Sequence, residues 1–399
     1  IIMKKLNTGR NQTYARTLNN ELVIQALRKE DLSATELSEK LSLSNAAMSS
    51  IMKGLLEQGI IKISYTKSES GKGRKQIVYS LNESYGLIIV VSLSDNRYTI
   101  TISNIKEEIL LERIKEIDRY DVSIIYEIVL NIKDMLQNPL YRDIALRNII
   151  ISVPGRVNSQ TGELQLSKQF DKNLFEGKNN IQAIFKTHFD VPIYQYNDIN
   201  LSIIGEMKYG ELKNSQNAMV AYVDNGIGGA FILNGEFYGG EEGYAGELGL
   251  MHCYFHGKED ALDEFSSLRS IKEYAAQKYG THFTVKDLVK KYEEKGDLYE
   301  YINETAHLLG RRLKDVVELL NISDILVSGR VSLFGEDYLK CVEEEVKKSS
   351  NECSVKFTKI GRTSVLYGAI STSVDQSIIS MTRNDEDELI YNWGSLWQV

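Results

Sequence analysis

The segment from Val223 to Cys253, VDNGIGGAFILNGEFYGGEEGYAGELGLMHC, holds nine of the chain's 29 glycines. Glycine at that density demands tight turns and backbone that comes close to something, because a residue without Cβ enters positive φ at little steric cost. An apolar run closed by Asn234-Gly235 is a hairpin signal. The segment ends in Gly246-Glu247-Leu248-Gly249, where one carboxylate stands among small and apolar neighbours. Such a loop suits gripping hydroxyl groups, or phosphate through backbone amides. Taken alone it reads equally well as a β-meander with busy turns.

The rest of the chain decides between these readings. Its 399 residues suit two or three domains. A hydrophobic content of 42% with 26% charge is ordinary for a soluble globular protein. No uninterrupted apolar run approaches the ~18 residues of a membrane span. Met3 is expected to be the initiator, and no signal-peptide pattern opens the sequence. Three scattered cysteines, Cys253, Cys341 and Cys353, argue against a disulfide framework and for a reducing cytoplasm. The net charge of −8 conceals an asymmetry. Residues 1–85 carry 13 Lys and Arg against 8 Asp and Glu, whereas the remainder is acidic. A basic head on an acidic body suggests that the head alone meets a polyanion.

That head reads as a DNA-binding unit. Leu18, Leu22, Val23, Ala26 and Leu27 recur at helical spacing. Ser33 followed by Glu36 is a capping box that opens a second helix to about Lys40. After the turn Leu41-Ser42-Leu43, Ser44 is a good N-cap for a third helix ending near Gln58, before Gly59. Ala47, Ile51 and Leu55 share its expected inward face, leaving Asn45, Ala46, Ser49, Ser50 and Lys53 outward. Helix, short turn and helix form the helix-turn-helix layout, whose second helix enters the major groove. Ser44, Asn45, Ala46, Ser49 and Lys53 are the expected groove and phosphate contacts. Two alternating runs, Ile60–Tyr65 and Gln76–Leu81, flank the tip KSESGKGRK and predict a winged hairpin. Lys72, Arg74 and Lys75 on that tip are expected to follow the phosphate backbone or reach a minor groove. The competing structural reading is a three-helix scaffold with a solvated loop.

The body alternates strands with helices, which indicates an α/β architecture. Strands are expected at Leu87–Leu93, Tyr98–Ile105 and Asn148–Val153, with a helix over Val122–Leu136. Val153-Pro154-Gly155-Arg156 makes a turn, and Asn197-Asp198 follows the apolar strand near Ile193. An Asn side chain both donates and accepts, so it satisfies a hydroxyl in either sense. An adjacent Asp can hydrogen-bond that hydroxyl or accept its proton. The plain alternative for Asn-Asp before a helix is an N-cap.

In order along the chain, these motifs resemble the ROK family of repressors and sugar kinases. SATELSEKLSLSNAAMSSIMKGLLEQGII with GKGRK is similar to its winged helix-turn-helix, and the Pro154-Gly155 turn and Asn197-Asp198 to its body. Asn225-Gly226-Ile227-Gly228-Gly229-Ala230 resembles its second phosphate turn. Gly243-Tyr244-Ala245-Gly246-Glu247-Leu248-Gly249 resembles its sugar-contacting loop, with Asp263 at a sugar-binding Glu position. The resemblance implies an N-terminal winged helix-turn-helix plus an actin-like (ribonuclease-H-like) two-lobed sugar-kinase fold. It implies a DNA-binding head at 1–80, a linker at 81–86 and a first lobe at 87–204. A second lobe follows at 205–364, a closing helix at 365–382 returns to the first lobe, and a tail ends the chain at 383–399. Asn197, Asp198, Glu247 and Asp263 are the implied effector contacts.

The sequence departs from the family's kinases where phosphate is handled. The expected Asp-x-Gly-Gly-Thr loop is replaced by Ser92-Leu93-Ser94-Asp95-Asn96, whose added carboxylate would repel ATP. Ser328-Gly329-Arg330 stands where kinases have paired glycines. Leu250 takes the position of the family's zinc-binding His, and its cysteine cluster is missing, so neither a metal nor a cofactor is expected. The implied function is a cytoplasmic transcriptional repressor that reads an inverted-repeat operator as a homodimer or dimer of dimers. A carbohydrate-like effector would control it. The alternative is an active ATP-dependent sugar kinase with an accessory head.

Overall fold

The computed structural model describes residues 8–67, 75–177, 180–361 and 363–382. The expected wing residues Lys72 and Arg74 and the tail at 383–399 lie outside these. The chain opens with α1 (Thr8–Lys29), β1 (Leu32–Ser33), α2 (Ala34–Lys40), α3 (Asn45–Glu57), β2 (Ile61–Lys67) and β3 (Gln76–Leu81). The three strands form one small sheet in the order β1-β3-β2, beside the helices, which is a winged helix. Both expected caps form. The Ser33 hydroxyl accepts from the Glu36 amide while Glu36 accepts from the Ser33 amide, and Ser44 accepts from the Ala47 amide.

Packing within α3 differs from the expected face by one position. Met48, Ile51, Met52 and Leu55 are buried, while Ala47 is half-buried. Two flexible thioethers fill the gap toward α1 better than a methyl group could. On α1 itself Leu18 is an exposed apolar residue, and Ile24 joins Val23, Ala26 and Leu27 in the core.

The body holds two sheets of one design. In the first, β4 (Leu87–Ser94), β5 (Arg97–Asn104) and β6 (Ile109–Glu116) form an antiparallel meander. After α4 (Val122–Leu136), β7 (Leu146–Val153) pairs parallel with β4. A small ribbon, β8 (Arg156–Val157) and β9 (Leu164–Leu166), then leads through α5 (Ile181–His188) to β10 (Ile193–Asn197), parallel with β7. The strand order is β10-β7-β4-β5-β6. Helix α6 (Asp198–Lys208) crosses to the second sheet. There β11 (Ala218–Val223), β12 (Ile227–Leu233) and β13 (Glu236–Tyr238) repeat the meander, turning at Asn234-Gly235 with both residues at positive φ.

The ribbon β14 (His252–Phe255) with β15 (Lys258–Ala261) follows, then α7 (Asp263–Ser266), α8 (Leu268–Tyr279), α9 (Val285–Glu293) and α10 (Asp297–Leu320). Strand β16 (Asp324–Ser328), α11 (Glu336–Val346), β17 (Ser354–Phe357) and α12 (Thr363–Thr382) complete the chain. The second sheet runs β13-β12-β11-β16-β17, so the two lobes share one topology. That duplicated sheet is the ribonuclease-H-like arrangement expected. Among the described residues no helix is long and apolar enough to cross a membrane.

Two helices tie the parts together. α6 packs against β7, β10 and α12 on one side and β11 and β12 on the other, so the position 204/205 lies inside an element shared by both sheets. α6 and α12 cross at van der Waals distance through paired glycines. A Cβ on Gly205 would sit 2.0 Å from the Ser364 carbonyl oxygen, and one on Gly368 would sit 1.8 Å from that of Leu201. The head shares this core: Val23, Leu27 and Leu37 belong to one apolar cluster with Ile88, Val90, Leu201 and Val374. The expected linker is pinned as well. Arg147 donates to the Tyr85 carbonyl and stacks 3.9 Å from the Tyr85 ring centre, and Asn82 donates to the Gly59 carbonyl.

Candidate functional site

A cleft of about 1640 Å³ runs between the lobes, and Asn197, Asp198, Glu247 and Asp263 all line it. Asn197 is the N-cap of α6. Its oxygen accepts from the Asn200 amide at 2.9 Å, and its Nδ2 donates to the Gly155 carbonyl at 2.7 Å. The N-cap reading of this residue is therefore physically present, and the same bonds fasten the Pro154-Gly155 turn to the helix.

Asp198 follows at the first helical position, half-buried in the cleft. Burial pushes its carboxyl up to about 7, aided by the nearby Asp95 and Asp224 carboxylates and opposed by backbone amides. At neutral pH this group is close to half-protonated, so it can donate to or accept from a hydroxyl.

The second lobe presents the other two carboxylates, and each meets a cation from the first lobe. Glu247 accepts from Arg156 Nε at 3.2 Å. Its loop is placed by Gly246, at φ +99°, where a Cβ would lie 2.0 Å from the Gly229 carbonyl oxygen. The Asp263 side chain, only 6% exposed, accepts from the Ile227 amide at 2.7 Å, Lys168 Nζ at 2.7 Å and Arg269 Nη2 at 3.3 Å. Sequence reasoning missed Arg156 and Lys168 as partners, because 91 and 95 residues separate them from their carboxylates.

At the other end of the cleft a charged network takes the place expected for phosphate handling. Arg330 donates to both oxygens of Asp224, and its Nη2 also donates to Asp95 at 2.8 Å. Asn225 donates to Asp95 at 2.7 Å and accepts from Lys272 at 2.8 Å. Burial works to raise the Asp224 carboxyl, but the guanidinium and two backbone amides outweigh it and hold it below the usual range. Asp95 was expected as a bare repulsive charge; instead it is bridged across the lobes by Arg330 and Asn225. Arg330 and the Asn225 amide are thereby committed to protein carboxylates.

Leu250 stands exposed on the cleft wall. Cys253 is buried and His256 bonds Glu304. Among the described residues no three His, Cys, Asp or Glu side chains gather as a metal site.

In the head, Ser44, Asn45, Ala46, Ser49 and Lys53 form one exposed face at the start of α3, and Lys75 is exposed at the base of the wing. The face is clear of the body-facing side of the head, where α1 packs on α12.

Residues 96–372, more than half of the sequence, match the ROK family. The chain belongs to the ROK family. The xylose repressor of Caldicellulosiruptor bescii is 22% identical, with 92% of this chain and 98% of the relative covered. The regulator NagC of Escherichia coli is 23% identical over 84% of this chain and 85% of its own. Among solved structures, a ROK family transcriptional regulator described as a homologue of the E. coli MLC protein superposes with a TM-score of 0.78. It is 17% identical and covers 92% of this chain and 98% of its own. A ROK glucokinase of Streptomyces griseus, bound to glucose and AMPPNP, gives 0.59 at 17% identity and covers 72% of this chain and 99% of its own. The ROK regulator thus accounts for a share of the chain larger by about the size of the winged head.

Proposed function

We propose that this ROK protein is a transcriptional repressor whose kinase-like body binds a carbohydrate effector without phosphorylating it. The observation that carries the reading is the shared core. α6 begins in the cleft at Asn197-Asp198 and ends at Lys208, which bonds Asp375 of α12, and Asp375 in turn bonds Arg28 of the head. Any change in the cleft that moves α6 must repack the head. Relatives named xylose repressor and N-acetylglucosamine repressor support the same function.

In this reading the exposed face of α3 with Lys53, Lys75, Lys72 and Arg74 meets an inverted-repeat operator as a homodimer or dimer of dimers in the cytoplasm. Asn197, Asp198, Glu247 and Asp263 hold the effector. An effector that binds one lobe angle better than another shifts the population of heads competent for the operator. The test is operator affinity measured by fluorescence anisotropy with and without xylose, glucose and N-acetylglucosamine. Duplex binding no tighter than to random sequence at moderate salt overturns the repressor.

The second reading, an active sugar kinase, is favoured by one observation: the Asp198 carboxyl, raised to about 7, has the poise of a general base. Against it stands the Asp95–Arg330–Asp224 network. ATP turnover with the same sugars decides, and phosphorylation lost in Asp198→Ala would establish the kinase.

A further inference from the structure

A second, smaller cavity of about 230 Å³ adjoins the cleft, and Val157, Asn197, Asn200 and Gly243 line both. Its walls come from three parts of the fold. Val157 and Ser159 belong to the first lobe, Asn197 and Asn200 to α6 and the strand before it, and Phe237 to Gly240 to the second lobe. Asn200 is 8% exposed; its backbone amide donates to Asn197, and its side-chain amide opens on the cavity with no hydrogen bond to another described residue. Such a group lining a cavity is most simply retained to meet a ligand. Around it the lining is aromatic and backbone: Tyr238, 49% exposed, Phe237, and the glycines 239, 240 and 243.

We propose that this cavity is a second sugar subsite, so that the effector is a disaccharide rather than a monosaccharide. The inference rests on the carbohydrate reading of the main cleft. Pockets that enclose a whole small ligand run to roughly 300–1000 Å³, so the cavity has room for one ring and not for a complete effector. One amide among aromatic and apolar surface suits a sugar ring, which offers hydroxyls at its edge and C–H groups on its faces. The close approach of the two lobes here depends on Gly243, at φ +87°, where a Cβ would lie 3.0 Å from the Val157 carbonyl oxygen. A ring lodged between Ser159 and Tyr238 would touch both lobes and α6 at once. It would therefore discriminate between lobe angles more strongly than a monosaccharide confined to the main cleft.

Isothermal titration of the full chain with xylose, glucose and N-acetylglucosamine, each beside xylobiose, cellobiose and diacetylchitobiose, tests this. At least one disaccharide should bind about tenfold more tightly than its monosaccharide, a difference of about 1.4 kcal/mol. Tyr238→Ala should remove most of that gain and leave the monosaccharide affinity unchanged, whereas Asn200→Ala, at a residue lining both cavities, should weaken the disaccharide more than the monosaccharide. Disaccharides that bind no tighter than their monosaccharides, or variants that weaken both equally or neither, overturn the subsite while the carbohydrate reading stands. Binding of none of the six sugars overturns both.

Discussion

Asp375→Ala is the perturbation that bears most directly on how head and body are joined. The Asp375 side chain is 7% exposed and accepts from Gln25 at 2.9 Å, Arg28 at 2.6 Å and Lys208 at 2.8 Å. Burial alone would raise its carboxyl, but the charges of Arg28 and Lys208 outweigh that and hold it below the usual range. Lys208 shows the counterpart: burial pulls its ammonium down to about 8 although Asp375 opposes the shift. Asp375→Ala leaves the buried Arg28 and the half-buried Lys208 facing each other. Removing one partner of a buried pair costs about 3–5 kcal/mol. Two features place this case at the lower end. Arg28 keeps Glu107 and the Ser371 hydroxyl, and Lys208 can lose its proton near neutral pH.

For a chain of 399 residues unfolding as one unit, a loss of about 3 kcal/mol corresponds to a fall in Tm of roughly 4 °C. Calorimetry and urea unfolding measure it. Adding Lys208→Met to Asp375→Ala should recover part of the loss, because the second change removes the stranded charge. Asp375→Ala should also weaken the effect of effector on operator affinity, since it cuts the contact between α6, α12 and α1. A variant within 1 kcal/mol of the parent and with an intact effector response would refute the coupling.

Three further outcomes are expected. Ser33→Ala removes the α2 capping box and should cost about 1 kcal/mol of stability in denaturant unfolding; no measurable loss would show that the Glu36–Lys67 ion pair alone holds that helix start. Lys53→Ala should weaken all duplexes alike and reduce the slope of log affinity against log salt by about 1, whereas an unchanged slope would remove Lys53 from the phosphate contacts. The Asp198 carboxyl binds a proton more tightly folded, up to about 7, than at its ordinary value of 3.8. Its contribution is therefore fully present below 3.8 and is lost as pH rises through 7. Asp198→Asn should flatten the fall in stability between about pH 4 and pH 7, and parallel curves for the two proteins would contradict the raised carboxyl.

The features legible in the sequence are those set by neighbours a few residues apart. The Ser33–Glu36 box, the Ser44 cap, the Asn234-Gly235 hairpin and the helix Val122–Leu136 each follow from local chemistry, and each forms. The inward face of α3 was displaced because small Ala47 and long Met48 and Met52 fit overlapping stripes, and only the partner α1 chooses between them. The four carboxylate and amide positions of the cleft were visible in the motifs, but their partners were not. Asn200 carried one weak signal, its place one turn beyond Asn197 on the same helix. Asp375 carried none, since a lone acid in the run Ala369–Ile379 acquires its cations only when α1 and α6 close on α12.

The two ends of the cleft differ in how far their charged donors are already committed. A phosphate site must keep cationic and amide donors free until the nucleotide arrives. Here Arg330 and Asn225 are already bonded to Asp224 and Asp95, and breaking those bonds would expose two carboxylates, Asp95 and Asp224, to an incoming polyanion. The opposite end keeps its capacity: Asp198 can exchange a proton near neutral pH, and Asn200 has an amide unspent. Arg156–Glu247 spans the gap between the lobes with both partners partly exposed, so a polyhydroxyl ligand can replace that pair at little desolvation cost. The lobes are thus latched firmly where phosphate would sit and weakly where a sugar would enter. Under the proposed function, effector binding would change the lobe angle at the sugar end, and α6 would carry that change to the head.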